Sequence, residues 1–287
     1  MTDTLRRFFF DDLDIRGAVV RIDAVWRALL AGRNYPGPVA RLLGEMCATA
    51  LLLADNLKHP SRLSIQSRGS GPVSLLVVDC SEARNIRCMA HYGKITATSN
   101  PVELLGRGQL AISLDQSSLR EPYQSIVPLT GKMLAEVFEH YLKQSEQLVS
   151  RFFLTATPTG AAGLFIQKMP GADERDPDGW TRVEALASTV QPAELLGLPS
   201  EELLGRLFLD ETVRVFDEKP VTHDFPKDWD KVRNMLRTLG REDVYATLQK
   251  SGVIVIRDDL ANHEYRFDKA SVDEIFSNIP PTSLARH

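Results

Sequence analysis

Cysteine is scarce in this chain. Of 287 residues only Cys47, Cys80 and Cys88 carry a thiol, all in the first third and in no CxxC spacing. Such a set gives neither a disulfide framework nor a thiolate metal pair, and it fits buried thiols in a reducing compartment. Cys80 and Cys88 flank the turn SEARN, so a cross-hairpin disulfide stands as the alternative to two ordinary thiols. It is disfavoured because structural disulfides are rare in the cytosol. An excess of basic charge is also lacking. With 34 Lys and Arg against 38 Asp and Glu the net charge is −4, and binding to phosphates needs a basic face. Nucleic acid is therefore not expected as a partner. Long hydrophobic runs are missing too. Three aromatics at Phe8–Phe10 give way to Asp11 and Asp12, and the apolar stretch Leu42–Leu57 is interrupted by Gly44, Glu45, Thr49 and Asp55. It reads as a core helix, neither signal peptide nor membrane span, with the cytoplasm as the expected compartment and no membrane partner.

Motifs of catalysis are equally thin. Gly69–Pro72 (GSGP) joins two strand-like segments and has no Lys-Ser/Thr ending, so it reads as a hairpin turn rather than a phosphate loop. There is no GxSxG elbow. His91 and His140 are isolated, and Asp11/Asp12 and Glu201/Glu202 sit in polar turns and helix starts, where solvation is the default. No enzyme is expected, and no cofactor.

What is present is an ordinary globular composition, 43% hydrophobic and 25% charged, long enough for one large core and a smaller appendage. Asp14–Ile22 reads as a strand, and Asp23 as the N-cap of a helix carrying Val25, Trp26, Leu29 and Leu30 on one face. The segment from Tyr35 starts with prolines and runs apolar on nearly every side, the mark of a buried helix. Strand-like stretches follow around Ile65, Val73–Val78, Ile86–Tyr92, Leu110–Leu114, Tyr123–Leu129, Arg151–Thr157 and Ala162–Met169. Thr130 is a candidate cap for the helix with the stripe Met133, Leu134, Val137, Phe138, Tyr141 and Leu142. The acidic, Gly- and Pro-bearing segment Gly171–Trp180 reads as a linker, followed by amphipathic helices with Ser200 as a partial cap. Lys219–Leu236 and Ser251–Phe267 then outline a strand, a helix and a hairpin. A module this small usually needs a metal or disulfides as a staple.

Three blocks together carry a family resemblance: FFFDDLDIRGAVVRI, then YPGPVARLLGEMCATALLLADNLKHPSRLSIQSRGSGPVSLLVVD, then EPYQSIVPLTGKMLAEVFEHYLKQSEQLVSRFFL. Arg16–Gly17, Tyr35–Pro36, Leu42–Glu45, Leu57–Lys58, the GxGP turn and Ser145–Leu148 fall in the order and spacing of the heat-shock protein 33 family of redox-regulated chaperones. The resemblance continues to FLDETVRVFDEKPV. It implies an α+β fold with a mixed-sheet N-terminal domain that binds clients (1–171), an amphipathic helical linker (172–212), a small C-terminal strand–helix–hairpin module (213–279) and a tail (280–287). It also implies a homodimer and, in the last module, a zinc site of four thiolates whose oxidation frees the linker to capture unfolding proteins without ATP.

This chain departs from that pattern at the zinc site. Alignment on VTHDFP and on the closing YxF places His223, Phe225, Asp258 and Ala261 at the four ligand positions, and no cysteine remains in the module. Phe225 with Ala261 is expected as an apolar plug in the vacated volume, and His223 with Asp258 as a hydrogen-bonded pair, against simple solvation of both. A residual metal site from His223, Asp224, Asp258 and His263 is the rival reading. The expected function is a holdase for unfolding proteins without zinc or disulfide control, constitutive or triggered by heat. The alternative is a non-chaperone interaction module on the same fold.

Overall fold

The computed structural model describes residues 3–57, 61–95, 100–115 and 123–277, so the expected tail at 280–287 lies outside the described residues. The chain divides into two compact units, Met1–Asp224 and Phe225–His287. In the first, the elements run β1 (Thr4–Phe10), β2 (Ile15–Ile22), α1 (Ala24–Leu30), α2 (Gly37–Asn56), β3 (Arg62–Gly69), β4 (Val73–Cys80), β5 (Ile86–Tyr92), α3 (Pro101–Leu105), β6 (Gly108–Asp115), β7 (Tyr123–Pro128), α4 (Leu134–Ser145), β8 (Ser150–Ala156), β9 (Ala161–Lys168), α5 (Ala172–Arg175), α6 (Gly179–Ala187), α7 (Pro192–Gly197), α8 (Ser200–Leu207), β10 (Val213–Val215) and β11 (Lys219–Pro220). The second holds α9 (Trp229–Leu239), α10 (Arg241–Ser251), β12 (Ile254–Asp258), β13 (His263–Phe267) and α11 (Lys269–Ser277).

Two sheets enclose α2. One has the order β10-β1-β2-β9-β8, with β11 also on β1, and the other β5-β4-β3-β6-β7. The α+β class expected from the sequence is the one observed. Within it, every named strand pair is antiparallel where a mixed sheet was expected. Short turns join β1 to β2, β3 to β4 and β8 to β9, and such turns can only reverse the chain. Because sheets lie on both sides of α2, its Leu42, Leu43, Met46, Cys47, Leu51 and Leu52 are all buried, which explains an apolar pattern around the whole helix. It is the one helix among the described residues long and apolar enough to cross a membrane, and it is the core of this unit. Gly44 permits the close packing: a Cβ there would come within 2.6 Å of the Ala156 methyl.

Ser200, expected as a partial cap, is the first residue inside α8, with Pro199 at the N-cap, and two other expected caps are replaced. The Asp23 side chain makes no capping bond at α1; Asp3 Oδ1 instead accepts from the Asp23 and Val25 amides. Helix α4 begins at Leu134 with Met133 at its N-cap, past Thr130, and Glu136 reaches back to accept from the Lys132 amide (2.5 Å). Both are long-reach or reciprocal caps, which a search for a single Ser, Thr or Asp before a helix does not find. Cys47, Cys80 and Cys88 are free and buried.

The second unit has its own core of Val232, Leu236, Val244, Leu248, Ile254, Tyr265, Phe267, Val272, Ile275 and Phe276. The hairpin β12–β13 packs with three helices, so α10 and α11 add to the strand–helix–hairpin outline. Trp229 stands edge-on to Tyr265 (5.0 Å between centroids) and Phe267 (5.8 Å). Asp228 caps α9 by accepting from Lys231 N, while its own amide donates to the Tyr265 hydroxyl (both 2.9 Å). Apolar burial by helices and aromatics thus does the stapling that a metal or disulfide usually does in so short a chain.

Candidate functional site

Strand alternation gives the first sheet two apolar faces. Leu5, Ala18, Val20, Ile22 and Phe165 face α2. Phe8, Phe10, Ile15, Val19, Leu164 and Ile166 form the opposite face, and a bare face of that kind would be an unusual exposed patch for a monomer. It is covered by the segment 172–212. Trp180 and Val183 of α6, Leu195 of α7, and Leu203, Leu204 and Leu207 of α8 with the following Phe208 all bury against it. Phe208 stands edge-on to Phe10 (4.9 Å) and tilted on Phe8 (6.1 Å). Gly17, opposite Phe8 in the ladder, leaves room for that stack: a Cβ on it would lie 2.1 Å from the Phe8 ring.

The helices covering this face are short, and a few polar contacts pin them. Arg6 on β1 pairs with Glu201 of α8, Arg21 on β2 donates to the Leu198 carbonyl (2.9 Å), and Arg151 on β8 donates to Glu184 of α6 (2.5 Å) while also holding Glu139 (2.8 Å). Arg182 bridges Glu211 (2.5 Å) and Asp176 (2.9 Å), and these carboxylates raise its pKa. Exposed ion pairs add little stability singly, so burial of the aromatic stack is the main force holding the cover down.

A groove beside this cover, lined by Glu45, Phe152, Leu154, Val190, Pro192 and Leu195, holds a carboxyl in mostly apolar surroundings. Burial raises the Glu45 pKa to about 7, with Arg41 at 3.8 Å opposing. A carboxyl whose pKa rises on folding contributes full stability below its unfolded pKa and loses it as pH climbs through the folded value. Glu45→Gln is therefore expected to stabilise the protein at pH 8 by about 2–4 kcal/mol and to change nothing at pH 4. Urea denaturation at the two pH values measures this.

The positions expected to replace zinc ligands fall in different units. His223 belongs to the first, where its Nδ1 is 2.8 Å from the Ile86 carbonyl, and the adjacent Asp224 amide donates to Asn85 Oδ1 (2.9 Å). In the second unit Asp258 closes the hairpin turn, its Oδ1 accepting from the Leu260 and Ala261 amides (3.1 and 3.0 Å). Ala261 is buried. Phe225 is half-buried and stands outside the core cluster, whose interior is filled by Tyr265, Phe267 and the three helices. Among the described residues no three His, Cys, Asp or Glu side chains group as a metal site. Two thiols of the first unit have raised pKa values, Cys47 pushed well up and Cys80 up to about 12, in both cases chiefly by burial.

The family described as Hsp33 protein matches residues 3–268. The chain belongs to the Hsp33 family. Among its relatives are the 33 kDa chaperonin of Nitrosococcus oceani, 37% identical over 99% of both chains, and that of Ectopseudomonas mendocina, 40% identical over 96% of both. The crystal structure of the 33 kDa chaperonin of Thermotoga maritima shares the fold, with a TM-score of 0.79 at 18% identity, covering 96% of this chain and 98% of the other. Sequence reading found the amphipathic helices but missed Phe8, Phe10, Arg6 and Arg21 as their seat. The alternation of Phe8 and Phe10 in the FFF run was the available signal.

Proposed function

We propose that the chain is a molecular chaperone, an ATP-independent holdase that captures unfolding proteins on the apolar sheet face and on the inner sides of α6–α8. Residues 1–171 then form the client-binding part, 172–212 its removable cover, and 213–279 the remnant of a switch module. The observation that carries this reading is an apolar sheet face covered by three short helices and closed by one aromatic stack. The names of the relatives, 33 kDa chaperonin, support it. ATP independence, and a homodimer, follow from the resemblance, and the cytoplasm is the compartment expected from the sequence.

Control by zinc and disulfides is not part of this proposal. Phe225 and Ala261 offer no ligand atom, Asp258 is engaged with backbone amides, and the three thiols are free and buried. Purified protein is expected to carry well below one zinc per chain, and a chelator to leave its melting unchanged; elemental analysis finding one equivalent would overturn this. Light scattering from a heat-denatured client tests the function. Protection that is the same with and without peroxide supports the proposal. Protection that appears only with peroxide and vanishes when Cys47, Cys80 and Cys88 are replaced by Ala would place a redox sensor in the first unit. No protection under any condition would favour an interaction module.

A further inference from the structure

A cavity of about 490 Å³ opens between the two sheets of the first unit, on the α2 side and away from the covered face. Its size is that of a small-molecule site, which typically spans about 300–1,000 Å³. The walls are apolar, with Leu53, Leu57, Leu63, Leu114 and Phe165 among them. One cation lies in this apolar setting. Arg16 of β2 donates to Gln167 Oε1 through Nε (2.7 Å) and through Nη2. Gln167 is itself buried and fixed by donating to Ser150 Oγ (2.9 Å). The guanidinium is therefore positioned by a neutral partner, and among the described residues no carboxylate is in ion-pair contact with it. Its pKa is pulled down, chiefly by burial and then by Arg7 on the neighbouring strand, while Glu146 opposes. Glu146 also lines the cavity, but it is exposed to solvent and makes no ion-pair contact with Arg16. A half-buried cation with no carboxylate in direct contact, beside a largely apolar cavity, is costly unless an anion completes it.

The backbone narrows the choice of ligand. The strands that line the cavity, β2, β9, β3 and β6, are all interior to their sheets, so their amides and carbonyls are paired with neighbouring strands. A peptide in the cavity would find no strand partners for its own main chain and would bury them unsatisfied. A hydrocarbon chain has no such need. We propose that this cavity binds a single-chain fatty carboxylate, with its head group on Arg16 and its chain along Leu53, Leu57, Leu63 and Leu114.

Calorimetry on the delipidated full-length protein, with dodecanoate and dodecanol as probes at pH 8, measures the head-group preference. Dodecanoate is expected to bind at least about tenfold tighter, the scale of a charge-assisted hydrogen bond. Arg16→Gln should abolish that preference and leave dodecanol binding in place, whereas Arg16→Lys should keep most of it. Should both variants fail to fold, Leu148→Trp, at a half-buried lining position, should block both probes. Photolabelling of the wild type with a diazirine-bearing dodecanoate locates the site independently, with labels expected on Leu57, Leu114 or Met169. Equal affinity for acid and alcohol, or labels confined to 172–212, would overturn the proposal, the latter because the probe would then be captured by the client surface.

Discussion

Phe208→Ala is expected to free the linker helices from the sheet while the α2 core stays folded. Phe208 is 2% exposed and packs against Phe8 and Phe10, two buried aromatics of the covered face. Truncating a buried Phe costs about 3–5 kcal/mol. The helices it anchors are short: α6 has 9 residues, α7 has 6 and α8 has 8, too few to be stable alone. What remains after the loss is the burial of Trp180, Val183, Leu195, Leu203, Leu204 and Leu207 and a handful of partly exposed ion pairs, worth roughly 0–1 kcal/mol each. The cover should therefore open more readily than in the wild type. Limited proteolysis should show new cuts between 172 and 212, and the variant should protect a client at temperatures where the wild type does not. Gly17→Ala should act in the same direction from the other side, by displacing the Phe8 ring. Cutting like the wild type in both variants would mean the aromatic stack is not the closure. Cutting without client protection would separate the structural result from the proposed function.

The second large effect is expected at Tyr265. Its ring is 1% exposed, packs edge-on with Trp229, and its hydroxyl accepts from the Asp228 amide at the start of α9. Tyr265→Ala opens a cavity and strands that amide, for a loss of about 3–5 kcal/mol. A core this small rarely supplies more than about 3–5 kcal/mol in total, so the second unit should unfold while the first keeps its transition. Tyr265→Phe loses only the hydrogen bond, about 1 kcal/mol, and should leave both transitions visible. Phe225→Ala, at a half-buried position outside the core, should cost less than Tyr265→Ala. Calorimetric scans of the three variants test the order. A Tyr265→Ala protein whose second unit melts like the wild type would show that the ten-residue cluster is not its main support.

Several features could be read directly from residue order. The all-round apolar pattern from Val39 to Leu53 called for burial on two sides, and two sheets supply it. The GSGP turn, the amphipathic segment from Trp180 to Phe208 and the Trp229 helix were legible because periodicity and turn chemistry are local properties. The missing thiolates were legible because a ligand set is a matter of residue type. Caps were less so. Asp3 reaches α1 from twenty residues upstream of Asp23, and no local pattern encodes that reach.

Residue type alone thus determined the family and the absence of a four-cysteine zinc site. Which residues fill the interior of the second unit was decided in three dimensions. Tyr265 and Phe267 fill this core because β13 turns them toward α9, α10 and α11. The face that receives the linker, the Arg16–Gln167 pair and the cavity beside it likewise join residues some 150 positions apart. Strand register placed them together, and register is set by the summed packing of a whole sheet rather than by any one segment.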